Sequence, residues 1–213
     1  MGIYTIVTDG YTTMDVWDRC ANKDVFKQYC RQCDVDCTSE YPIDLQTPVE
    51  ELEKIRDLAC RAVKAVGIDN GPAHVEIMLT KDGPKMVELG ARMGGDCITT
   101  HLVPLSTGID MIKATMDICL GQAPDITPKF QKGSAIRFFD VAPGTITAIE
   151  GMEGVKNIPG VKKVSFTKQV GDTVGEIGAS GDRAGFVIAQ EDTVTQAITA
   201  CEQASQTIAV ILE

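Results

Sequence analysis

The chain of 213 residues carries 30 acidic and 20 basic side chains, a net charge of −10, with 44% hydrophobic and 5% aromatic content. This suits one large or two small globular domains, and the acidic balance argues against nucleic acid, which needs clustered Lys and Arg. No apolar run is long enough to span a bilayer, and Met1-Gly2-Ile3-Tyr4-Thr5 lacks the basic and apolar regions of a signal peptide, so a cytoplasmic protein with no membrane partner is expected.

Ile3–Thr8 reads as a strand ending at the turn Asp9-Gly10, and Asp15–Cys33 has helical character. Tyr41–Leu45 looks extended. Thr47-Pro48-Val49-Glu50 is a helix start, with Thr47 as cap, Pro48 at the first helical position and Glu50 completing a capping box. Val49, Leu52, Ile55, Ala59, Ala62 and Val63 then form one apolar stripe, and Gly67 ends the helix. Two short strands follow. A further helix is expected with Thr107 as cap and Ile109, Ile112, Met116 and Cys119 facing inward, closed by Gly121 and Pro124. From Gly133 the pattern changes to short strands at Ala135–Asp140, Gly144–Glu150, Val161–Thr167 and Ala184–Gln190. A last helix near Asp192 shows Val194, Ala197, Ile198, Cys201 and Ile208 on one side. The tail is an α+β subdomain of about 80 residues, a plausible size.

Eight cysteines occur. Cys60, Cys97, Cys119 and Cys201 sit singly in apolar or helical patterns and read as small buried hydrophobes. Cys30, Cys33 and Cys37 cluster, with Cys20 upstream. The second pair of a four-ligand zinc site is missing at a usual spacing, so reduced cytosolic thiols are expected.

The most informative segment runs from His74 to Asp96. His74–Thr80 and Lys85–Gly90 read as two strands joined by Lys81-Asp82-Gly83-Pro84, each with one carboxylate in apolar company. Parity of the turn decides whether those acids meet. A two-residue turn at Asp82-Gly83 would pair Glu88 with Ile77 and send the acids to opposite faces. A three-residue loop Lys81-Asp82-Gly83, with Gly83 left-handed, pairs Glu76 with Glu88 and is the expectation. Facing carboxylates repel unless a cation or a shared proton relieves them, and magnesium held by one or two carboxylates plus substrate phosphates is the common solution. The same spacing also allows a hairpin with solvent-facing acids, one of them paired with Arg92.

From about Leu45 onward the chain resembles the carboxy-terminal half of ATP-grasp carboxylate–amine ligases, nearest the amino-acid ligase and carnosine-synthase-like branch. The family motif Glu-x-Asn-x-Arg reads here Glu88-Leu89-Gly90-Ala91-Arg92. The resemblance implies an α+β fold, the C-terminal half of an ATP-grasp fold with antiparallel sheet and helices, followed by a small α+β tail. It implies residues 1–40 as a partial N-terminal region, 41–132 as the ATP-grasp core and 133–213 as the tail. It makes Glu76 and Glu88 ligands of magnesium or manganese on the ATP phosphates, and Met78 the residue under the adenine. Arg92 becomes the arginine at the reacting groups, and Gly94, Gly95 and Asp96 the turn that meets the carboxylate substrate. Asp182-Arg183-Ala184-Gly185-Phe186-Val187-Ile188 also fits the amino-acid ligase pattern. ATP and small carboxylate and amine substrates are the implied partners, and a homo-oligomer is compatible with them.

Two departures stand out. Gly90 replaces the usual Asn. The family's central lobe, with its phosphate-binding lysines, has no counterpart, because Asn22–Lys27 resembles the helix before it and nothing between Val35 and Thr47 has room for it. Two functions therefore compete: an ADP-forming ligase working through an acyl phosphate, and a non-catalytic remnant serving as a binding or assembly module. No nucleophilic triad is expected, Ser106 reading as a helix cap and His101 as a packed or surface residue.

Overall fold

The computed structural model describes residues 49–80 and 82–213. The expected elements of residues 1–45, the Thr47–Pro48 cap, Lys81 and the Cys20–Cys37 group lie outside the described residues. The chain divides into two compact units. The described part of the first comprises residues 49–95 and 112–125. The second comprises residues 96–111 and 126–213.

In the first unit, α1 (Val49–Ala65) packs chiefly on β2 (Gly83–Gly90) of an antiparallel hairpin whose other strand is β1 (His74–Thr80). Ile55 and Ala59 are buried, with Leu52, Ala62 and Val63 half-buried, so the apolar stripe lies where its spacing put it. Gly67 N donates to Lys64 O and Ile68 N to Val63 O, the paired bonds that satisfy a helix's last carbonyls.

The helix expected from Thr107 differs. Thr107 ends a short α2 (Val103–Thr107), and α3 (Met111–Cys119) starts after it. Ile109 is buried in the connection, but Ile112 and Met116 are exposed, and Cys119 with them. Ala114 and Asp117 are the buried positions of α3. The inward face thus passes through small and polar side chains, with Lys113 Nζ 2.5 Å from Asp117 Oδ2. Apolar spacing alone selected the wrong side.

The second unit holds two three-stranded antiparallel sheets. One has the order β3 (Gly133–Phe138), β7 (Gly185–Glu191), β5 (Val161–Phe166); the other has β6 (Thr173–Val174), β4 (Gly144–Glu150), β8 (Ala209–Leu212). A short α4 (Met152–Val155) follows β4, and α5 (Val194–Thr207) precedes β8. Thr193 caps α5 in a capping box with Gln196. Its buried face is Ala197, Ala200, Cys201 and Ala204, small side chains that bring it close to Ala135, Val187 and Ala189 of the first sheet. The expected inclusion of Ile208 in this helix is corrected: Ile208 is extended, and the last residues form a strand against β4.

Alternation gives the first sheet a second face. Ser134, Ile136 and Phe138 of β3 stand opposite Gln190, Ile188 and Phe186 of β7, with Lys163 and Ser165 of β5 beyond. The segment from 98 to 107 binds this face: Ser134 Oγ donates to Leu102 O at 2.9 Å, and Gln190 Nε2 to Leu105 O at 2.6 Å. Among the described residues no helix is long and apolar enough to cross a membrane.

Candidate functional site

Glu76 pairs directly with Glu88 across the hairpin, so the two carboxylates share a face. The route to that register differs from expectation. Thr80 pairs with Gly83, leaving two residues in the connection rather than three, and Thr80 Oγ1 donates to Gly83 O at 2.8 Å. Continued unbroken, that register would set Glu76 against Val87. A bulge intervenes: Ile77 pairs with Met86, Glu76 with Glu88, and Val87 is the extra residue. The loop parity was wrong, and the bulge supplies the missing shift of one.

Each acid has a nitrogen-bearing neighbour. His74 lies two residues before Glu76 on the same strand, hence on the same face, with Nε2 3.0 Å from Glu76 Oε1. Arg92 folds back so that Nη2 lies 3.2 Å from Glu88 Oε1, and Nη1 donates to Met93 O. Gly90 makes this return possible. A Cβ there would stand 3.2 Å from Arg92 Cγ and 3.3 Å from Nε, so an Asn would compete for the space the arginine uses. All three charged ends face solvent, Arg92 being 50% and Glu88 58% exposed, so their pairing contributes about 1 kcal/mol at most. Met78 lies further along the same face, half-buried and opposite Lys85.

Two opposed, accessible carboxylates fit a divalent cation that takes its other ligands from phosphates and water. Among the described residues no cluster of three or more His, Cys, Asp or Glu side chains could hold a metal by itself, so a cation here would depend on its substrate for the remaining ligands.

The turn after the hairpin separates the expected substrate residues. Gly94 is half-buried and Gly95 exposed. Asp96 opens the second unit and faces Arg183, with Oδ1 3.0 Å from Nη1. Asp96 and Cys97 are both left-handed, at φ 47° and 61°, a rare conformation for side-chain-bearing residues. The π-helical turn Ile98–Leu102 follows directly. His101 sits on it, with Nδ1 2.7 Å from Thr100 Oγ1 and Nε2 3.2 Å from Lys163 Nζ. Burial and then the charge of Lys163 hold the His101 pKa below the ordinary histidine range. Burial raises the Cys97 thiol against the opposing pull of its hydrogen bond with Thr100. Ser106 is not an N-cap: its hydroxyl donates to Val103 O within α2. Arg183 and Lys163 carry no signal as site residues in the sequence. Their neighbours come from distant segments, and no spacing pattern links them.

Residues 137–213 match the family described as L-amino acid ligase C-terminal domain 2. The L-arginine-specific L-amino acid ligase of Bacillus subtilis is 27% identical over 126 residues, 58% of this chain and 30% of that protein. The L-amino acid ligase of Bacillus licheniformis superposes with a TM-score of 0.68 at 26% identity, over 79% of this chain and 42% of the other. Phosphoribosylglycinamide synthetase of Anaerococcus prevotii shares the fold with a TM-score of 0.71 at 21% identity, over 81% and 46%. The chain spans about a third of the length of the curated relatives it matches. The chain therefore carries part of the ATP-grasp fold, and its residues 137–213 are similar to the L-amino acid ligase C-terminal domain.

Proposed function

We propose that this chain belongs to an ATP-dependent carboxylate–amine ligase that joins an amino acid or other small carboxylate to an amine, forming ADP. The observation that carries the reading is the register of Glu76 with Glu88. In the proposed reaction the substrate carboxylate attacks the γ-phosphorus of ATP, ADP leaves, and an amine then displaces phosphate from the acyl phosphate. Glu76 and Glu88 would hold magnesium or manganese, which supplies charge neutralisation at the phosphates. Arg92, paired with Glu88 in this structure, has a planar fork that can hold two oxygens of the developing anion. Met78 offers an apolar surface for the adenine, while Gly94, Gly95 and Asp96 approach the carboxylate substrate. No side-chain nucleophile is needed, because such catalysis is positioning and charge stabilisation.

The non-catalytic reading draws on a different observation. Glu88 and Arg92 satisfy each other in the space that Gly90 leaves open. Steady-state ADP release with candidate amino-acid pairs, together with calorimetry of magnesium–ATP, decides between the readings. Glu88→Gln should weaken magnesium-dependent nucleotide binding by about tenfold, as expected for removing one of two charged ligands. Arg92→Lys should lower turnover more than nucleotide affinity. Equal nucleotide affinity in the Gln variant, or unchanged turnover in the Lys variant, refutes the role of that residue.

A further inference from the structure

The sequence holds three asparagines, Asn22, Asn70 and Asn157, followed by Lys23, Gly71 and Ile158. Asparagine is chemically labile because its carboxamide carbon lies within reach of the next residue's backbone nitrogen. Closure needs a nitrogen without a crowding side chain, a nitrogen and a carboxamide not held in hydrogen bonds, and a backbone with room to bend. The two asparagines among the described residues separate on these requirements.

Asn70 lies in the connection between α1, which ends at Ala65, and β1, which starts at His74. Asn70 and Gly71 are both exposed. Among the described residues neither the Gly71 N–H nor the Asn70 carboxamide makes a hydrogen bond. Gly71 has φ +134°, and nothing stands within 4 Å of the position a Cβ would take, so the segment has space on that side. Asn157 is exposed too. Its Nδ2, however, donates to Glu153 O at 3.1 Å, and the following Ile158 N–H donates to Val155 O at 3.1 Å. Ile158 is also β-branched, which crowds its nitrogen. Exposure is common to both sites; the hydrogen bonds and the next side chain are not.

We infer that Asn70 is a self-modification site of the folded chain, converting to isoaspartate without an enzyme. The Gly71 nitrogen, deprotonated by hydroxide, attacks Asn70 Cγ. The new N–Cγ bond closes a succinimide ring and the Cγ–Nδ2 bond breaks. Ammonia leaves with a proton taken from water, which restores the hydroxide. Water then opens the ring at one of its two carbonyls. Opening at Cγ gives aspartate. Opening at the backbone carbonyl gives isoaspartate, whose main chain runs through the former side chain and whose α-carboxylate is released. Either product adds one negative charge to a chain of net charge −10. The isoaspartyl link also lengthens the connection between α1 and β1 by a methylene, with only Gly71, Pro72 and Ala73 between it and the first residue of β1.

The test is to age the folded 213-residue chain at neutral and at alkaline pH and to follow the Asn70 and Asn157 peptides by mass spectrometry. The Asn70 peptide should gain one mass unit, faster at alkaline pH. Labelling by an L-isoaspartyl methyltransferase should show isoaspartate as the major product. The Asn157 peptide should stay unchanged over the same period. Ageing in urea gives the rate for an unfolded chain, and Asn70 in the folded chain should convert at a rate close to it. Asn70→Gln, which would have to close a larger ring, should abolish both the mass gain and the label. Amide NMR of the aged chain should show second resonances for residues 68–74 and none for Gly144–Glu150, and the aged Gln variant should show none at either place. Conversion of Asn70 in urea with persistence in the folded chain overturns the inference, because the connection then protects it. Equal conversion of Asn157 in the folded chain overturns the structural basis of the selectivity. Aspartate as the sole product overturns the isoaspartyl link.

Discussion

Gly151, Gly171 and Gly133 all lie in the second unit and separate two costs that a glycine can hide. Gly151 has φ +88°, and a Cβ there would stand 2.0 Å from Thr207 O and 2.9 Å from Thr207 C, both backbone atoms at the end of α5. Gly171 has φ +95° with nothing within 4 Å of its Cβ position. Gly133 needs no left-handed φ, but its Cβ would come within 2.2 Å of the Thr193 carbonyl carbon and 2.3 Å of Val194 N, where α5 begins. Alanine at Gly171 should therefore cost only the left-handed penalty, about 1–2 kcal/mol. Alanine at Gly133 should cost the overpacking term, about 1–3 kcal/mol, at the upper end because backbone cannot rotate aside. Gly151→Ala combines both, about 2–5 kcal/mol. Thermal unfolding followed by circular dichroism should then rank the variants, with Gly151→Ala lowest by about 4–20 °C at about 2–4 °C per kcal/mol. Gly171→Ala losing as much as Gly151→Ala would refute the packing of α4 against the end of α5. A neutral Gly133→Ala would refute the seating of α5 on β3.

Two more predictions follow from titrating groups. The folded-state pKa of His101 is lowered, so the unfolded chain binds the extra proton more readily. Its contribution to stability is present above the unfolded value of about 6.5 and is lost as pH falls through that value. His101→Asn should flatten the stability profile below neutrality, and a His101 imidazole titrating above 6.5 by NMR would refute its placement beside Lys163. Among Cys60, Cys97, Cys119 and Cys201, iodoacetamide at pH 8 with peptide mapping should label exposed Cys119 first. Cys201 should remain unlabelled, because burial pushes its thiol up to about 12. Labelling of Cys201 in the folded chain would show that the buried face of α5 does not seat on β3 and β7.

Much of this protein is local and therefore readable in the chain. The stripe of α1, the last helix near Asp192 and the short strands of the tail depend on periodicity and on turn residues a few positions apart. The motif from Glu88 to Arg92 is equally local, and its resemblance pointed to the ATP-grasp fold that the comparisons show. Other features needed three dimensions. A bulge at Val87 corrected an even turn, because register is a property of two strands and not of one. The buried side of α3 went to Ala114 and Asp117, since contacts choose a helix face and hydrophobicity only biases it. Arg183 shows the limit most sharply. Its aromatic floor comes from β3 and its carboxylate neighbour from a strained turn far earlier in the chain. Charge, spacing and composition describe each segment alone; folding brought these three together, and only their distance and burial set this arginine apart from the others.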